Sequence, residues 1–244
     1  MNLSWLTDTP IAHRGLHNDQ YPENSFGAFV RGAQAGYNLE LDVHLTRDGE
    51  IVVVHDENMK RVTGEDILIT ACDRDTWRGL KLCGTEEGIP TLQEVLDMVA
   101  GRVGLVIEIK KDKCYEVGVL EEKLVAQLAE YKGNFVIKSF DPYVVGWMRK
   151  HAPHIVTGQL ASNFEDEEKY SFFVRFIGKH LLMLPFNHAQ FVSFEAANLP
   201  NRAVARCKKR GMPILAWTIR SQEQADRALQ YADVIIFEKF IPQA

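Results

Sequence analysis

His13, Arg14, Glu40, Asp42, His55, Glu108 and Lys110 fall in four short segments: Ile11-Ala12-His13-Arg14-Gly15, Glu40-Leu41-Asp42, His55-Asp56 and Glu108-Ile109-Lys110. Each segment lies in or just after an apolar, β-branched run that reads as a strand. Glu40 and Asp42 are two residues apart, as are Glu108 and Lys110, so each pair leaves one face of its strand. A carboxylate on the buried face of a strand needs a charge to meet it. Three carboxylates, two histidines, an arginine and a lysine at strand ends describe a divalent cation beside a phosphate. Cation, proton donor, proton acceptor and anion clamp together suffice to cleave a phosphodiester.

The elements that must hold these residues follow from hydrophobic periodicity. Strand-like runs at 10–15, 39–45, 51–55, 104–110, 135–140, 155–160, 191–194, 213–218 and 234–237 alternate with amphipathic stretches. The amphipathic stretches lie at 25–35, 92–100, 115–131, 143–151, 167–182, 202–210 and 222–231. Val117, Leu120, Leu124 and Leu128 recur at helical steps. Alternation of this kind predicts a parallel sheet with crossover helices, and about eight strands in a chain of 244 residues suit a closed (β/α)8 TIM barrel. Arg47-Asp48-Gly49-Glu50 is a turn signal, which makes 51–55 the hairpin partner of the second strand. The stretch 59–90 reads as an irregular insertion over one edge. Only residues 239–244 follow the last strand, so the final helix is expected to be short or missing, with Trp5 and Leu6 covering the gap.

Bulk composition narrows the class. A hydrophobic share of 46% and a charged share of 25% are ordinary for a globular protein, and one domain spanning 1–244 is expected. The net charge of −5 argues against a nucleic-acid partner. There is no apolar run long enough to span a bilayer, and 1–10 has neither a basic nor an apolar leader region. Stable membrane insertion is therefore not expected, and a cytoplasmic location is. Cys72, Cys83, Cys114 and Cys207 are scattered, which suggests free thiols rather than a zinc site.

The chain resembles the glycerophosphodiester phosphodiesterases of the phosphatidylinositol-phospholipase-C-like barrel superfamily. The matching motifs are His13-Arg14-Gly15, Pro22-Glu23-Asn24-Ser25, Glu40-Leu41-Asp42-Val43, Asp48-Gly49, His55-Asp56, Pro90-Thr91-Leu92, Glu108-Ile109-Lys110 and Ala216-Trp217-Thr218. The resemblance implies that Glu40, Asp42 and Glu108 hold one divalent cation, Mg²⁺ or Ca²⁺, and that His13 and His55 are the acid–base pair. It also implies a small-molecule glycerophosphodiester substrate, with sn-glycerol 3-phosphate and an alcohol as products of a cyclic phosphate route. Arg14 and Lys110 would clamp the phosphate, and Trp217 would wall the glycerol carbons. Asn24 would fix its loop, as a helix cap or near Glu40. Arg220 and Glu238 depart from the family's common pattern, Asn at the first and Thr-Asp near the second.

Other readings stay beside this one. His44 is expected to be a plain strand-end residue, the alternative being a group supporting the metal ligands. The apolar stretch 172–186 is expected to be a buried crossover helix, the alternative being an exposed rim that meets lipid. That rim would favour a lysophospholipase D or sphingomyelinase-D-like activity. A catalytically silent, phosphodiester-binding barrel is the reading from another class.

Overall fold

The structure, a computed structural model, describes residues 3–112, 114–163 and 171–243. In chain order the elements begin with α1 (Ser4–Asp8), β1 (Ile11–Ala12), α2 (Phe26–Gln34), β2 (Asn38–Leu45), β3 (Ile51–Val53), α3 (Lys60–Thr63) and α4 (Arg74–Trp77). They continue with α5 (Leu92–Val99), β4 (Leu105–Ile109), α6 (Val119–Leu128), β5 (Phe135–Ser139), α7 (Pro142–His151) and β6 (Thr157–Ala161). The remainder are α8 (Phe172–His180), α9 (Leu184–Asn187), β7 (Phe191–Glu195), α10 (Arg202–Lys209), β8 (Ile214–Ile219), α11 (Gln222–Ala228) and β9 (Val234–Phe237).

Hydrogen bonding orders the strands β1-β9-β8-β7-β6-β5-β4-β2-β3, and β1 pairs in addition with β2. Leaving β3 aside, the sheet returns to its starting strand, which is the expected (β/α)8 barrel topology. β3 pairs antiparallel with β2, with His44 opposite Val52, as the turn signal predicts. β2 and β4 are buried along their whole length, because strands of a parallel sheet covered by helices have no wet face.

By contacts the chain divides into a first unit, Ile11–Phe135, and a second, Met1–Pro10 with Val136–Ala244. In the first unit the insertion builds a small core of its own. Trp77, Met59, Val62, Ile69 and Leu82 pack with Val52 and Val54, so the stretch is anchored on β3 although its helices are only short. In the second unit no helix follows β9 among the described residues, and α1 packs on β9 with Leu6 fully buried. Of the two residues expected to cover that end, Leu6 is buried and Trp5 half-buried.

The stretch 172–186 differs from expectation. Its helical periodicity is real, and Ser171 caps α8 by accepting from the Val174 N–H. Yet α8 buries none of its residues. Phe172, Phe173 and Phe186 stand 83%, 68% and 75% exposed. Amphipathic spacing shows that a helix has an apolar face, not that anything packs on it. The first residues of the predicted helix, 167–170, lie outside the described residues.

Candidate active site

All seven residues singled out first, from His13 to Lys110, lie in the first unit. β2 supplies Glu40 and Asp42 from one face. Parallel pairing with β4 sets Asp42 opposite Glu108, so the third carboxylate arrives by register. Ligand oxygens of Glu40, Asp42 and Glu108 lie within 4.8 Å of one another, and all three residues are buried. Opposed ligands on one cation stand about 4 Å apart for Mg²⁺ and about 5 Å for Ca²⁺. The donors are all hard oxygens, so the set fits a divalent cation of that type.

The loop after β1 folds onto this cluster. Arg14 and Gly15 take φ values of 54° and 80°. A Cβ at Gly15 would stand 2.9 Å from the Ala28 carbonyl carbon, so only glycine passes there. The turn aims the Arg14 amide at Glu40, where it donates to Oε2 at 3.1 Å. The Arg14 side chain donates to Glu23 Oε1 at 2.7 Å and holds its Nε 3.5 Å from Asp42 Oδ2. His13 Nε2 stands 4.0 Å from Glu40 Oε2. Asn24, also left-handed at φ 56°, donates to Asp42 Oδ2 at 2.9 Å and accepts from the Asp42 N–H at 3.5 Å. Its amide is therefore a clamp on Asp42. The helix cap belongs to Ser25, which accepts from the Ala28 N–H.

Lys110 Nζ donates to Glu108 Oε1 at 2.9 Å and to Asp42 Oδ1 at 3.4 Å. Burial alone would push its ammonium down, but Glu108 and Asp42 outweigh that and raise it well above the usual lysine value. Asp42 is the mirror case. Burial would raise it, and Lys110, His55, Arg14 and the Asn24 N–H together hold it well below the carboxylate range.

His55, just beyond β3, holds Nδ1 2.5 Å from Asp56 Oδ1. Asp56 Oδ2 accepts from Arg61 Nε at 2.5 Å, and the Arg61 fork grips Glu23 at 2.9 and 2.6 Å. Glu23 closes the chain back to Arg14. Burial raises the Glu23 carboxyl, yet the Arg61 hydrogen bond and the charges of Arg14 and Arg61 lower it to about 2. A run of hydrogen bonds and ion pairs, His55–Asp56–Arg61–Glu23–Arg14–Asp42, thus ties one histidine to a carboxylate of the candidate metal cluster. Glu23 and Asp56 sit in motifs quoted above but carried no assigned role. Arg61, on α3, had no signal in the sequence.

His44, expected to be a plain strand-end residue, is buried near the end of β2 with both ring nitrogens engaged. Its Nδ1 faces Asp112 Oδ1 and Oδ2 at 2.8 and 2.9 Å, and its Nε2 faces the His55 carbonyl at 3.1 Å.

Trp217 belongs to the second unit. It is half-buried, meets Phe140 edge-on at 5.6 Å between ring centres, and lines a cavity of about 410 Å³ with Glu195, Leu199, Arg220, Gln224 and Arg227. Arg220 and Glu238, the two departures noted above, meet each other, Arg220 Nε donating to Glu238 Oε1 at 2.7 Å.

In the first unit, then, buried carboxylates that can hold a cation stand with two histidines and two cationic side chains. Such a set can polarise a phosphodiester, orient it and move protons on either side of phosphorus. The profile of the glycerophosphoryl diester phosphodiesterase family matches residues 13–238. A glycerophosphodiester phosphodiesterase of Caldanaerobacter subterraneus is 34% identical over 232 residues, 90% of this chain and 89% of the relative. Among solved structures, an Oleispira antarctica phosphodiesterase in complex with the product sn-glycerol-3-phosphate superposes with a TM-score of 0.81 at 23% identity, over 96% of this chain and 94% of that one. The Thermotoga maritima glycerophosphodiester phosphodiesterase gives 0.74 at 25% identity, over 94% of both chains.

Proposed function

The chain belongs to the glycerophosphoryl diester phosphodiesterase family, and from that premise we propose that it hydrolyses glycerophosphodiesters to sn-glycerol 3-phosphate and an alcohol. The observation that carries this reading is the convergence of Glu40, Asp42 and Glu108 within 4.8 Å, with His13, Arg14 and Lys110 in direct reach of those carboxylates. Glu40, Asp42 and Glu108 would hold a Mg²⁺ or Ca²⁺ ion, which would supply Lewis-acid polarisation at the phosphate.

The side chains do the rest. Arg14 and Lys110 bind phosphate oxygens and fix the substrate's orientation. One of His13 and His55 takes the proton of the glycerol 2-hydroxyl as that oxygen attacks phosphorus. The other protonates the departing alcohol oxygen. Water then opens the cyclic phosphate, with the proton transfers reversed. Intramolecular attack gains from the tethering of the hydroxyl beside phosphorus. His55 is oriented for this by Asp56, as a carboxylate fixes the tautomer of a catalytic imidazole. For Trp217 the role is the one its motif implies, an apolar wall for the glycerol carbons. A cytoplasmic site of action goes with this reading. No helix among the described residues is long and apolar enough to cross a membrane.

The test is a panel of glycerophosphodiesters assayed with and without EDTA, with Mg²⁺ or Ca²⁺ added back. Release of sn-glycerol 3-phosphate, lost on chelation and restored by metal, is expected. Full turnover after exhaustive chelation sinks the metal assignment. A 2-deoxy analogue hydrolysed at the parent rate sinks attack by the substrate's own hydroxyl. A second reading, lysophospholipase D activity, has one specific observation in its favour: the exposed aromatic residues of α8. Lysolipids belong in the same panel for that reason.

A further inference from the structure

We infer that His44 and Asp112 form a buried brace that positions His55 through its main-chain carbonyl. The inference rests on the reading that His55 is one of the two proton-transfer groups.

The strand ladder shows why a brace is needed. β2 holds β3 by antiparallel pairing from Leu45–Ile51 to Val43–Val53. The last backbone bond of this edge is the Val54 N–H donating to the Asp42 carbonyl at 3.0 Å. His55 lies beyond it. Its carbonyl receives instead the Nε2–H of His44, a side chain two residues after Asp42 on the same face of β2, at 3.1 Å. One strand thereby fixes Asp42 directly and His55 through an imidazole.

The other end of that ring is fixed as firmly. Nδ1 faces both oxygens of Asp112 at 2.8 and 2.9 Å. Asp112 lies three residues past the end of β4, in the segment that carries Glu108 and Lys110. His44 and Asp112 are 2% and 5% exposed. The ring therefore ties the end of β3 to the end of β4, which is the distance that separates His55 from Glu108 and Lys110. With Nε2 donating to the His55 carbonyl and Nδ1 held against the Asp112 carboxyl, both ring nitrogens are engaged and the ring cannot turn without losing both contacts. An aliphatic residue at either position would fill the volume and leave the His55 carbonyl to drift. Displacement of a proton donor by about 1 Å is enough to cost about 10²-fold. Among the described residues no hydrogen bond joins His44 or Asp112 to the three carboxylates or to the imidazole of His55, so they are positioning residues.

The test compares four variants in the full-length, metal-loaded enzyme, each assayed well below its melting temperature. His44→Phe and Asp112→Leu should each lower kcat by about 10- to 100-fold, with KM and Mg²⁺ or Ca²⁺ affinity within about twofold of the parent. Asp112→Asn should retain most of the parent kcat, because its amide can donate to Nδ1 and leave Nε2–H on the His55 carbonyl. The double variant His44→Phe/Asp112→Leu should fall no further than either single one, since both break one brace. The Asp56 amide resonance, whose peptide contains the His55 carbonyl, should move in His44→Phe and Asp112→Leu and stay in Asp112→Asn. His55→Ala is the control. If it is fully active, the reading of His55 fails and the brace with it. If it is inactive while a folded His44→Phe or Asp112→Leu keeps the parent kcat, the inference alone is overturned. Should His44→Phe fail to fold, the contrast between Asp112→Leu and Asp112→Asn decides: equal kcat in these two overturns it.

Discussion

The first unit buries the carboxylates Glu40, Asp42, Glu108, Asp112 and Glu121 together with His13 and His44; among described residues the second buries Lys138 and Glu238 as its charged groups, and otherwise hydroxyls and amides. Both units repeat the same strand–helix pattern. In the second, buried polarity serves the backbone. Gln159 donates to the carbonyls of Ser139, Phe140 and Leu160 and accepts from Asn187 at 2.6 Å. These are neutral groups closing their own hydrogen bonds, which is the ordinary condition for burial. In the first unit hydrogen bonds and ion pairs run from His55 to Asp42 without a break. Its Arg61 links are half-exposed, where an ion pair contributes about 1 kcal/mol or less, and around Asp42 it is buried, where desolvation consumes most of the Coulombic gain. Neither part is strong support for stability, which sets this charge apart from the self-satisfied amides of the second unit.

The sharpest way to break that contrast is to remove its carboxylates. Glu40→Gln, Asp42→Asn and Glu108→Gln should each lose metal affinity by calorimetry and lower kcat/KM by at least about 10³-fold, the equivalent of about 4 kcal/mol of transition-state stabilisation. A neutral substitution of Glu238 in the second unit should not affect metal binding. Metal affinity surviving in all three first-unit variants would show that the cluster only looks like a ligand set.

Next in size are the histidines. His13→Ala and His55→Ala should each lower kcat by about 10²- to 10⁴-fold. Their combination should fall well short of the product, because the two act as a unit. A multiplicative loss would mean independent roles.

Smaller effects belong to the second unit and should appear in KM. Trp217→Ala should raise it about tenfold, the scale of one lost apolar contact surface. Arg220→Asn breaks a partly exposed ion pair with Glu238, worth about 1 kcal/mol or less. It should alter head-group preference by about fivefold or less and leave the metal requirement unchanged. An inactive but folded Arg220→Asn would place Arg220 among the catalytic groups.

Acid should act on the first unit through Glu23. Its folded pKa of about 2 lies below the ordinary value of 4.5. Its contribution is thus complete above pH 4.5 and is lost as pH falls toward 2. Denaturant midpoints measured from pH 5 to pH 2 should fall less steeply in Glu23→Gln than in the parent. Parallel curves would remove Glu23 from the acid response. The smallest effect is expected on α8. Phe172→Ser should change stability by no more than about 0.5 kcal/mol and leave glycerophosphodiester turnover at the parent level. A selective loss of lysolipid hydrolysis in this variant would move the function toward the second reading.

Strand-end chemistry was legible from residue type and a spacing of two alone: Glu40 with Asp42, Glu108 with Lys110. So were the hairpin of β2 and β3 and the barrel's strand–helix alternation, since period and turn signals are local properties of a chain. Tertiary structure alone decided which side chains complete the site. Arg61 reaches Glu23 from a short helix inside an irregular insertion, 38 residues away in sequence. Asp112 reaches His44 across 68 residues. Asn24 turns to Asp42 and leaves the cap to its neighbour Ser25. Whether the aromatic face of α8 is covered was likewise outside the reach of periodicity. Spacing along a helix or strand specifies a direction for each side chain. What stands in that direction depends on elements distant in sequence, and for charged groups on which partner can repay the loss of water.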